Sequence, residues 1–376
     1  MTRAPIACPS CAARPAPVDT GGTLHLWWPA GHVAKKLLET IRTADLPHTV
    51  AAAGKRAEVA VGTGWLTPLC QELSKALTPV ERTAVRALFV PDGGEAGLAA
   101  LGEVTTLEGL AHRGEARWLS ALLDDERLTS HFQPIVEAAT GEPFAVEALA
   151  RGLPLDGEDA GPDGLIGGGR IIMAARAADM LFPVDLAART SAVRTAVERG
   201  YRGRLFINFS PAAIYDPHHC LRSTVKIIES LGYPPENIVF EVGEGDSVES
   251  MDHLKEILTV YRSAGFKVAL DDLGAGYASL NALHELRPDY VKMDMALVRG
   301  VDHDPVKAPI LAGLLRMARE IGIATVCEGV ETHAEADWLR AHGADYLQGF
   351  LYGRAAAAPP ASGGGPLATR DGAVPL

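Results

Sequence analysis

Between Ser130 and Arg354 the chain repeats one pattern, a short apolar run followed by a segment with the period of an amphipathic helix. The apolar runs are HFQPIVEA, PFAVEALAR, LFINFS, IVFEVGE, KVALDD, YVKMD, ATVCEG and YLQGFLYG. Continuous apolar strands separated by helices are typical of a mainly parallel sheet that helices cover. About eight such strands in roughly 240 residues predict an α/β fold, a (β/α)8 TIM-like barrel.

The connection between the first two apolar runs is an exception to this pattern. Only ATGE joins them, whereas a crossover between parallel strands needs about a dozen residues or more. The two runs must therefore pair antiparallel. We expect a barrel whose first strand runs against the others.

Composition divides the chain into four regions. Residues 1–20 read as a flexible N-terminus, residues 21–114 as a small α/β domain, residues 115–354 as the barrel, and residues 355–376 as a disordered Gly/Pro-rich tail. In the second region TLHLWWP predicts a strand and HVAKKLLETIR an amphipathic helix. By its position this domain is expected to regulate the barrel.

The cysteines and the charge limit the class of protein. Five cysteines are an odd number without the spacing of a disulfide framework. Cys8 and Cys11 form a lone C-x-x-C, whereas a zinc site needs about four ligands; metal binding, redox chemistry and a plain flexible terminus all stay open. A formal net charge of −12 argues against binding to a DNA or RNA polymer. It leaves room for a small anionic ligand, because bound divalent cations invert the local field.

No apolar run reaches the roughly 18 residues that a membrane-spanning helix needs. The first residues, MTRAPIACPSCAARPAPV, lack the apolar core of a signal peptide. The 47% hydrophobic and 22% charged content is that of a globular protein. We therefore expect a cytoplasmic protein without membrane insertion.

Ligand-type side chains stand at or near the end of successive apolar runs. They are Glu147, Asn208, Glu241, Glu244, Asp271, Asp272, Lys292, Asp294, Glu328 and Gln348. In a barrel of parallel strands the carboxyl ends meet at one mouth, where active sites are built. The pattern therefore predicts a single site.

The residue types at this mouth indicate metal chemistry. Asp271 and Asp272 are adjacent anions beside an apolar strand, an arrangement that is tenable when a cation lies between them. Carboxylates with one amide suit Mg²⁺ or Mn²⁺ rather than zinc. A carboxylate pair can bridge two metals for phosphodiester cleavage by water. Lys292 would hold the water or the phosphate, and Glu328 would accept a proton or bind the second metal.

Each of these residues also has a purely structural interpretation. Asp294 precedes MALV, where it would serve equally well as a helix cap. Lys292 alone would be a surface lysine, and Asn208 alone would satisfy backbone groups. Gly274 and Gly276 have the first spacing of a dinucleotide-binding turn, but Ser279 occupies the third glycine position, so we interpret these glycines as supports of a mobile loop. The whole set at successive strand ends outweighs these separate interpretations.

Seven segments of the sequence resemble, in order and spacing, the motifs of the EAL-domain family. They are EALAR (Glu147–Arg151), NFS (Asn208–Ser210), FEVGE (Phe240–Glu244), DDLGAGYASL (Asp271–Leu280), VKMD (Val291–Asp294), CEGVET (Cys327–Thr332) and LQGF (Leu347–Phe350). The resemblance covers about Glu115 to Arg354. Members of that family are bacterial phosphodiesterases that open cyclic di-GMP to linear pGpG.

The resemblance implies a role for each matching residue. It implies a barrel with an antiparallel first strand and two Mg²⁺ or Mn²⁺ ions per active site. The metal ligands would be Glu147, Asn208, Glu241, Asp271 and Asp272, with Lys292 orienting the water and Glu328 as ligand or base. Substrate would contact Gln133, Arg151 and Gln348; Glu244 and Gly274 would stabilise the loop after Asp272, and Asp294 and Glu331 would support the site from behind. A homodimer joined through the barrel is expected.

Two departures from the family pattern keep other functions open. Gly243 and Leu273 stand where the family commonly has a threonine and a phenylalanine, so the loop beside the site is altered. The alternatives to a phosphodiesterase are an inactive receptor for cyclic di-GMP and an interaction module that binds no nucleotide. The complete set of ligand-type residues favours the enzyme.

Overall fold

The computed structural model describes residues 20–51, 54–95, 97–124, 126–155, 160–161, 163–214, 216–243, 251–274 and 279–360. Contacts divide this part of the chain into two compact units. The N-terminal unit contains the chain up to Arg127 together with Pro154–Val184, and the barrel unit contains Leu128–Leu153 and the chain from Asp185 onward. The limits expected at residues 114 and 354 stay a prediction, and the expectations for Cys8, Cys11 and residues 361–376 lie outside the described residues.

The N-terminal unit begins with alternating strands and helices. The elements are β1 (Gly22–Trp27), α1 (Gly31–Thr43), β2 (His48–Val50), β3 (Arg56–Val61), α2 (Leu66–Lys75), α3 (Pro79–Ala84), β4 (Arg86–Pro91), a 3-10 helix (Leu98–Glu103), β5 (Thr105–Thr106), α4 (Leu107–Glu115) and α5 (Arg117–Asp124). The strands form one sheet in the order β2-β3-β1-β4-β5, and every neighbouring pair is antiparallel. The predicted small α/β domain is confirmed.

One face of this sheet carries the core of the N-terminal unit. Alternate strand residues such as Leu24, Leu26 and Val59 pack against the apolar faces of α1, α2 and α4, as the two-residue period of a strand requires. Trp28 is 3% exposed, and its Nε1 donates to the Gly54 carbonyl over 3.0 Å. Trp28 is therefore the core residue of the Trp27–Trp28 pair.

The chain then alternates strands and helices up to residue 348. The elements are β6 (Leu128–Glu137), β7 (Pro143–Gly152), β8 (Ile166–Gly167), α6 (Gly168–Ala177), α7 (Leu181–Glu198), β9 (Arg204–Asn208), α8 (Pro217–Ser230), β10 (Ile238–Gly243), α9 (Met251–Ser263), β11 (Lys267–Leu273), α10 (Ser279–Leu286), β12 (Tyr290–Met293), α11 (Met295–Val298), α12 (Lys307–Glu320), β13 (Ala324–Cys327), α13 (His333–Ala341) and β14 (Tyr346–Gln348), with 3-10 helices at Pro211–Ala213 and Pro235–Asn237. Of these, β8 and α6 fall in the N-terminal unit. Within the described ranges no helix is both long and apolar enough to span a bilayer.

Eight strands close into the barrel. Their order is β6-β14-β13-β12-β11-β10-β9-β7, and β6 also pairs with β7. Strand β7 pairs with β9, and each strand from β9 to β13 pairs with the next one along the chain; all of these pairs are parallel. Strand β6 is antiparallel to both of its neighbours, β7 and β14. The predicted TIM-like barrel with an antiparallel first strand is confirmed.

The lower part of the barrel is filled by one ring of side chains. The ring consists of Ile135, Ala145, Phe206, Val239, Ala269, Tyr290 and Val326, with Tyr346 packed against it. Each of the eight strands therefore supplies one member. Because side chains two residues apart on a strand share a face, the next ring toward the mouth contains the residues two positions further on. In β6, which runs the other way, that residue lies two positions back.

Candidate metal and catalytic site

The second ring of the barrel is polar. It contains Gln133, Glu147, Asn208, Glu241, Asp271, Lys292, Glu328 and Gln348, each two positions from a member of the apolar ring. All eight were predicted as site residues. Glu147, Glu241, Lys292 and Gln348 are buried, whereas Asn208 is exposed at the rim. Strand periodicity and barrel closure thus bring these eight side chains together above the apolar ring.

Lys292 lies at the centre of this ring and is 1% exposed. Its Nζ is 2.6 Å from Glu328 Oε1, 2.8 Å from Glu241 Oε1, 3.2 Å from Asp271 Oδ1 and 3.3 Å from Glu147 Oε2. Burial opposes the charge on Lys292, but these four carboxylates outweigh it and raise the pKa well above its ordinary value. The ammonium therefore stays charged, although one positive charge faces four carboxyl groups.

Glu241 is the most deeply buried member of the ring, with an exposed fraction of 0%. Burial first and the neighbouring Glu147 second raise the pKa of Glu241 well above its ordinary value. Among the described residues its Oε2 has no hydrogen-bond partner. A buried, incompletely paired carboxyl group is costly, so this position fits a ligand of a bound cation.

Glu147 is held by two amide side chains. Asn208 Nδ2 donates to its Oε1 over 2.8 Å, and Gln348 Nε2 donates to its Oε2 over 2.7 Å. Burial would raise the pKa of Glu147, but Lys292 and these two hydrogen bonds outweigh it and lower the pKa. The result is an oriented, ionised carboxylate beside the lysine.

Asp271 and Asp272 lie at an irregularity in β11. The pairing with β12 shifts register between Leu270 and Leu273, and Asp272 has a φ of +60°. Asp271 Oδ1 accepts the Asp272 backbone N–H over 3.1 Å. Bulges and left-handed residues re-aim side chains at functional sites, and here both carboxylates reach the mouth. Burial and the charge of Asp271 raise the pKa of Asp272 to about 6.

Three carboxylates form a candidate metal cluster. One oxygen each from Asp271, Asp272 and Glu328 lies within 4.8 Å of the other two. Burial raises the pKa of Glu328 to about 8, against the opposing effect of Lys292. The charges of Asp271 and Glu147 raise this pKa further. An all-oxygen donor set fits Mg²⁺ or Mn²⁺.

A cavity of about 220 Å³ opens above the ring. Its lining includes Gln133, Glu147, Asp272, Asp294, Met295, Arg299, Glu328, Glu331, Gln348 and Phe350. Asp294 caps α11 by accepting the Ala296 N–H over 2.8 Å, which is its structural interpretation; its support of the site stays a prediction. Glu331 accepts from Arg299 Nη2 over 2.5 Å.

Sequence reasoning missed Met295 and Arg299 as cavity residues. Met295 begins α11 directly after the VKMD segment, and Arg299 follows the end of that helix. Arg299 brings a cation to an otherwise acidic rim. The available signal was a basic residue about one helical turn beyond the VKMD segment. That signal is weak, because exposed arginines at such positions are common.

Arg151, Gln133 and Gly274 were predicted to contact substrate or to stabilise the loop, and the structure describes all three. Arg151 donates through Nη1 to the Ala150 carbonyl over 2.9 Å and does not line the described cavity. Gln133 accepts from Gln348 Nε2 over 3.3 Å at the cavity wall. Gly274 has a φ of +106°, and a Cβ there would overlap Leu297 Cδ1; glycine is therefore required. Glu244, with the loop residues 275–278, lies outside the described residues.

The comparisons with known proteins agree with this geometry. Residues 116–355 match the model of the EAL domain. The probable cyclic di-GMP phosphodiesterase PdeG of Escherichia coli K12 is 29% identical over 240 residues, which are 62% of this chain and 46% of PdeG. The chain thus spans about half the length of that curated relative.

Two solved structures are similar. The standalone EAL protein from Vibrio cholerae O395, in its c-di-GMP-bound form, is 36% identical, with a TM-score of 0.55 over 62% of this chain and 94% of that one. BlrP1 of Klebsiella pneumoniae, in a calcium and cyclic di-GMP complex, is 24% identical, with a TM-score of 0.54 over 89% of this chain and 96% of that one. The second likeness concerns the fold alone. With the polar ring, the closed barrel and the match over residues 116–355, the chain belongs to the EAL domain family.

Proposed function

We propose that this protein is a phosphodiesterase that hydrolyses cyclic di-GMP to linear pGpG with the help of bound divalent metal ions. The observation that carries the proposal is the complete polar ring, in which Lys292 lies within 3.3 Å of four carboxylates. The names of the relatives support the substrate, since PdeG is a probable cyclic di-GMP phosphodiesterase.

The metal ligands follow from the donor atoms at the mouth. Glu147, Asn208, Glu241 and Asp271 would hold one Mg²⁺ or Mn²⁺, and Asp271 with Asp272 would hold a second, near Glu328. Two such ions supply an activated water and stabilise the attacking and leaving oxygens of an in-line displacement. The fit rests on the unpaired Oε2 of the buried Glu241 and on the Asp271–Asp272–Glu328 cluster.

The side chains around that pair of ions then have separate tasks. Lys292 donates a hydrogen from Nζ to the water oxygen and fixes its line of approach to the phosphorus. Glu328, whose Oε1 is 2.6 Å from Lys292 Nζ, would in its ionised form receive a proton from that water. Gln133 and Gln348 present amide groups to the substrate at the cavity wall, and Arg151 is proposed to contact a phosphate.

A receptor that binds cyclic di-GMP without cleaving it is the second candidate. The observation that favours it is the departure at Leu273, which directly follows Asp272 and is 1% exposed, together with Gly243. These residues flank the metal cluster, so an altered loop would weaken catalysis before binding. An interaction module without nucleotide binding would need a degenerate site, and the polar ring is complete.

The N-terminal unit and a homodimer complete the proposal. The unit has a hydrophobic core of its own, which suits a regulatory domain that responds to a signal separately from the barrel. We expect two chains to associate through the barrel, as the resemblance implies. Light scattering on the full chain would measure the mass directly; a monomer at all concentrations would remove the dimer from the proposal.

The first experiment is chromatography of the full chain incubated with cyclic di-GMP and Mn²⁺. Formation of pGpG is expected, with loss in EDTA and in Asp271→Asn, and retention in Asp337→Asn, whose side chain is 71% exposed on α13. Tight calorimetric binding without any product would establish the receptor instead. The absence of both product and binding would contradict both functions.

A further inference from the structure

An ion pair is buried on the outer side of the barrel strands, away from the polar ring. Asp185 and Arg189 lie one turn apart on α7, with exposed fractions of 3% and 2%. Arg189 Nη2 is 2.7 Å from Asp185 Oδ2. Neither residue belongs to the site described above, and neither belongs to a sequence segment that suggested chemistry.

The arginine connects α7 to two other helices. Its Nη1 donates to Thr224 Oγ1 on α8 over 2.7 Å and to the Tyr261 hydroxyl on α9 over 3.0 Å. The ring of Tyr261 stacks on Phe240, with centroids 4.1 Å apart, and meets Phe209 edge-on at 5.3 Å. These two phenylalanines are the chain neighbours of Glu241 and Asn208, so the network packs directly behind two proposed metal ligands.

The aspartate connects α7 to the end of β9. Its Oδ1 accepts the backbone N–H of Ser210 over 2.9 Å. One residue earlier, the Phe209 N–H donates to the Glu241 carbonyl over 3.1 Å. The turn that leaves β9 is therefore fixed from both sides immediately after Asn208. Asn208 in turn holds Glu147 through its amide, over 2.8 Å.

Stability alone is a poor reason for this pair. Replacing a buried ion pair by apolar side chains of similar volume is often neutral or stabilising. By contrast, groups that orient metal ligands are worth about 10- to 100-fold in metal affinity or activity. Among its described contacts, the Asp185 carboxylate accepts a hydrogen bond from the Ser210 backbone N–H, which an apolar side chain would not replace.

We propose that Asp185 is a positioning residue, which holds the Asn208 turn through the Ser210 N–H so that Asn208 faces the metal site. Arg189 is the counter-charge that makes a buried aspartate tolerable at this position. The inference rests on the metal site of the proposed function, and it concerns metal affinity rather than turnover.

Two double variants isolate the hydrogen bond. Asp185→Asn with Arg189→Met removes both charges but keeps an oxygen that accepts from Ser210. Asp185→Leu with Arg189→Met removes both charges and the acceptor, and leucine has the branched shape of the aspartate side chain. Both pairs avoid a buried unpaired charge, so both are expected to fold, with a lower melting temperature for the Leu/Met variant because it loses the buried hydrogen bond.

The measurement is Mn²⁺ affinity of the full chain, by titration calorimetry and by the loss of free-Mn²⁺ electron paramagnetic resonance signal, without substrate. We expect the Asn/Met variant to stay within about threefold of the wild type and the Leu/Met variant to bind about 10- to 100-fold more weakly. Circular dichroism establishes that both are folded.

The outcomes separate this inference from the proposed function. The wild type could bind Mn²⁺ but yield no pGpG, while the two double variants still differ in Mn²⁺ affinity as expected. That result would contradict the proposed enzymatic activity and support the positioning role. Equal affinities in two folded double variants overturn the positioning role whatever the turnover. A wild type without measurable Mn²⁺ binding also overturns it.

Discussion

Lys292 is the residue on which the electrostatics of the site depend. It is buried among four carboxylates, and the loss of its charge would leave a cluster of unbalanced anions with no ammonium to orient a water. Arg299, which also lines the cavity, is half-exposed and paired with Glu331. The two cations therefore serve different parts of the site: Lys292 lies within the polar ring, and Arg299 lies at the rim of the cavity.

We expect Lys292→Met to lower the turnover number by about 10²- to 10⁴-fold, because methionine keeps the length of the side chain but cannot donate to the water. Substrate affinity should change far less, since Lys292 lies beneath the cavity. Steady-state kinetics combined with calorimetric binding separate the two quantities. Lys267→Met, at the other end of the barrel on β11 with a 46% exposed side chain, is the control. An unchanged turnover number would move the water-orienting role to another residue.

Each barrel strand contributes one side chain to the apolar ring and one to the polar ring above it. An apolar side chain such as Val239 or Ala269 fills the floor, and two positions further on Glu241 or Asp271 reaches the site. Loops between elements must then pack closely to keep the mouth in shape. At the end of β14, Gly349 lies against the backbone of Val330, where an added Cβ would overlap the Val330 N and O atoms.

Gly349→Ala is expected to destabilise the chain by about 1–3 kcal/mol, because overpacking against rigid backbone forces a shift of the chain. Gly313 is the matched control. It lies within α12 with no atom near an added Cβ, so Gly313→Ala should stabilise by about 1 kcal/mol. Urea unfolding followed by circular dichroism measures both. A Gly349→Ala midpoint equal to that of the wild type would argue against the close approach.

At the scale of the whole molecule, a net charge of −12 coexists with a concentrated anionic site at one end of the barrel. A ligand that binds the folded state alone stabilises it by mass action. Divalent cations would do so here by offsetting the repulsion among Asp271, Asp272 and Glu328. The two compact units each have a core of their own, so this stabilisation belongs to the barrel unit.

Mn²⁺ at about a hundred times its dissociation constant should raise the unfolding free energy by about 2.7 kcal/mol. We expect Mn²⁺ to raise the melting temperature of the barrel unit and EDTA to reverse this increase. Asp271→Asn should lose most of the shift, because it removes the negative charge of a carboxylate that would hold both proposed metals. Differential scanning calorimetry provides the measurement. The same shift in Asp271→Asn and the wild type would place the bound ions elsewhere.

Much of the site could be predicted because it depends on short-range patterns in the sequence. The two-residue period of a strand relates Val239 to Glu241 and Ala269 to Asp271 whatever the rest of the chain does. The short ATGE connection likewise permits only an antiparallel first strand. Short-range patterns also predicted a strand near Thr23 and a helix near His32, and these correspond to β1 and α1. The prediction of Arg151 at the site rested on family resemblance and stays a prediction.

What the sequence by itself determined is therefore the order of elements, the barrel and the residue types at its mouth. Tertiary structure alone decided that Lys292 contacts carboxylates from four other strands or their ends, and that Asp272 adopts a left-handed backbone. It also decided that Asp185 holds the turn after Asn208. The physical reason is range: periodicity and turn chemistry act between near neighbours, whereas these contacts join residues far apart in the chain and exist only once the barrel has closed.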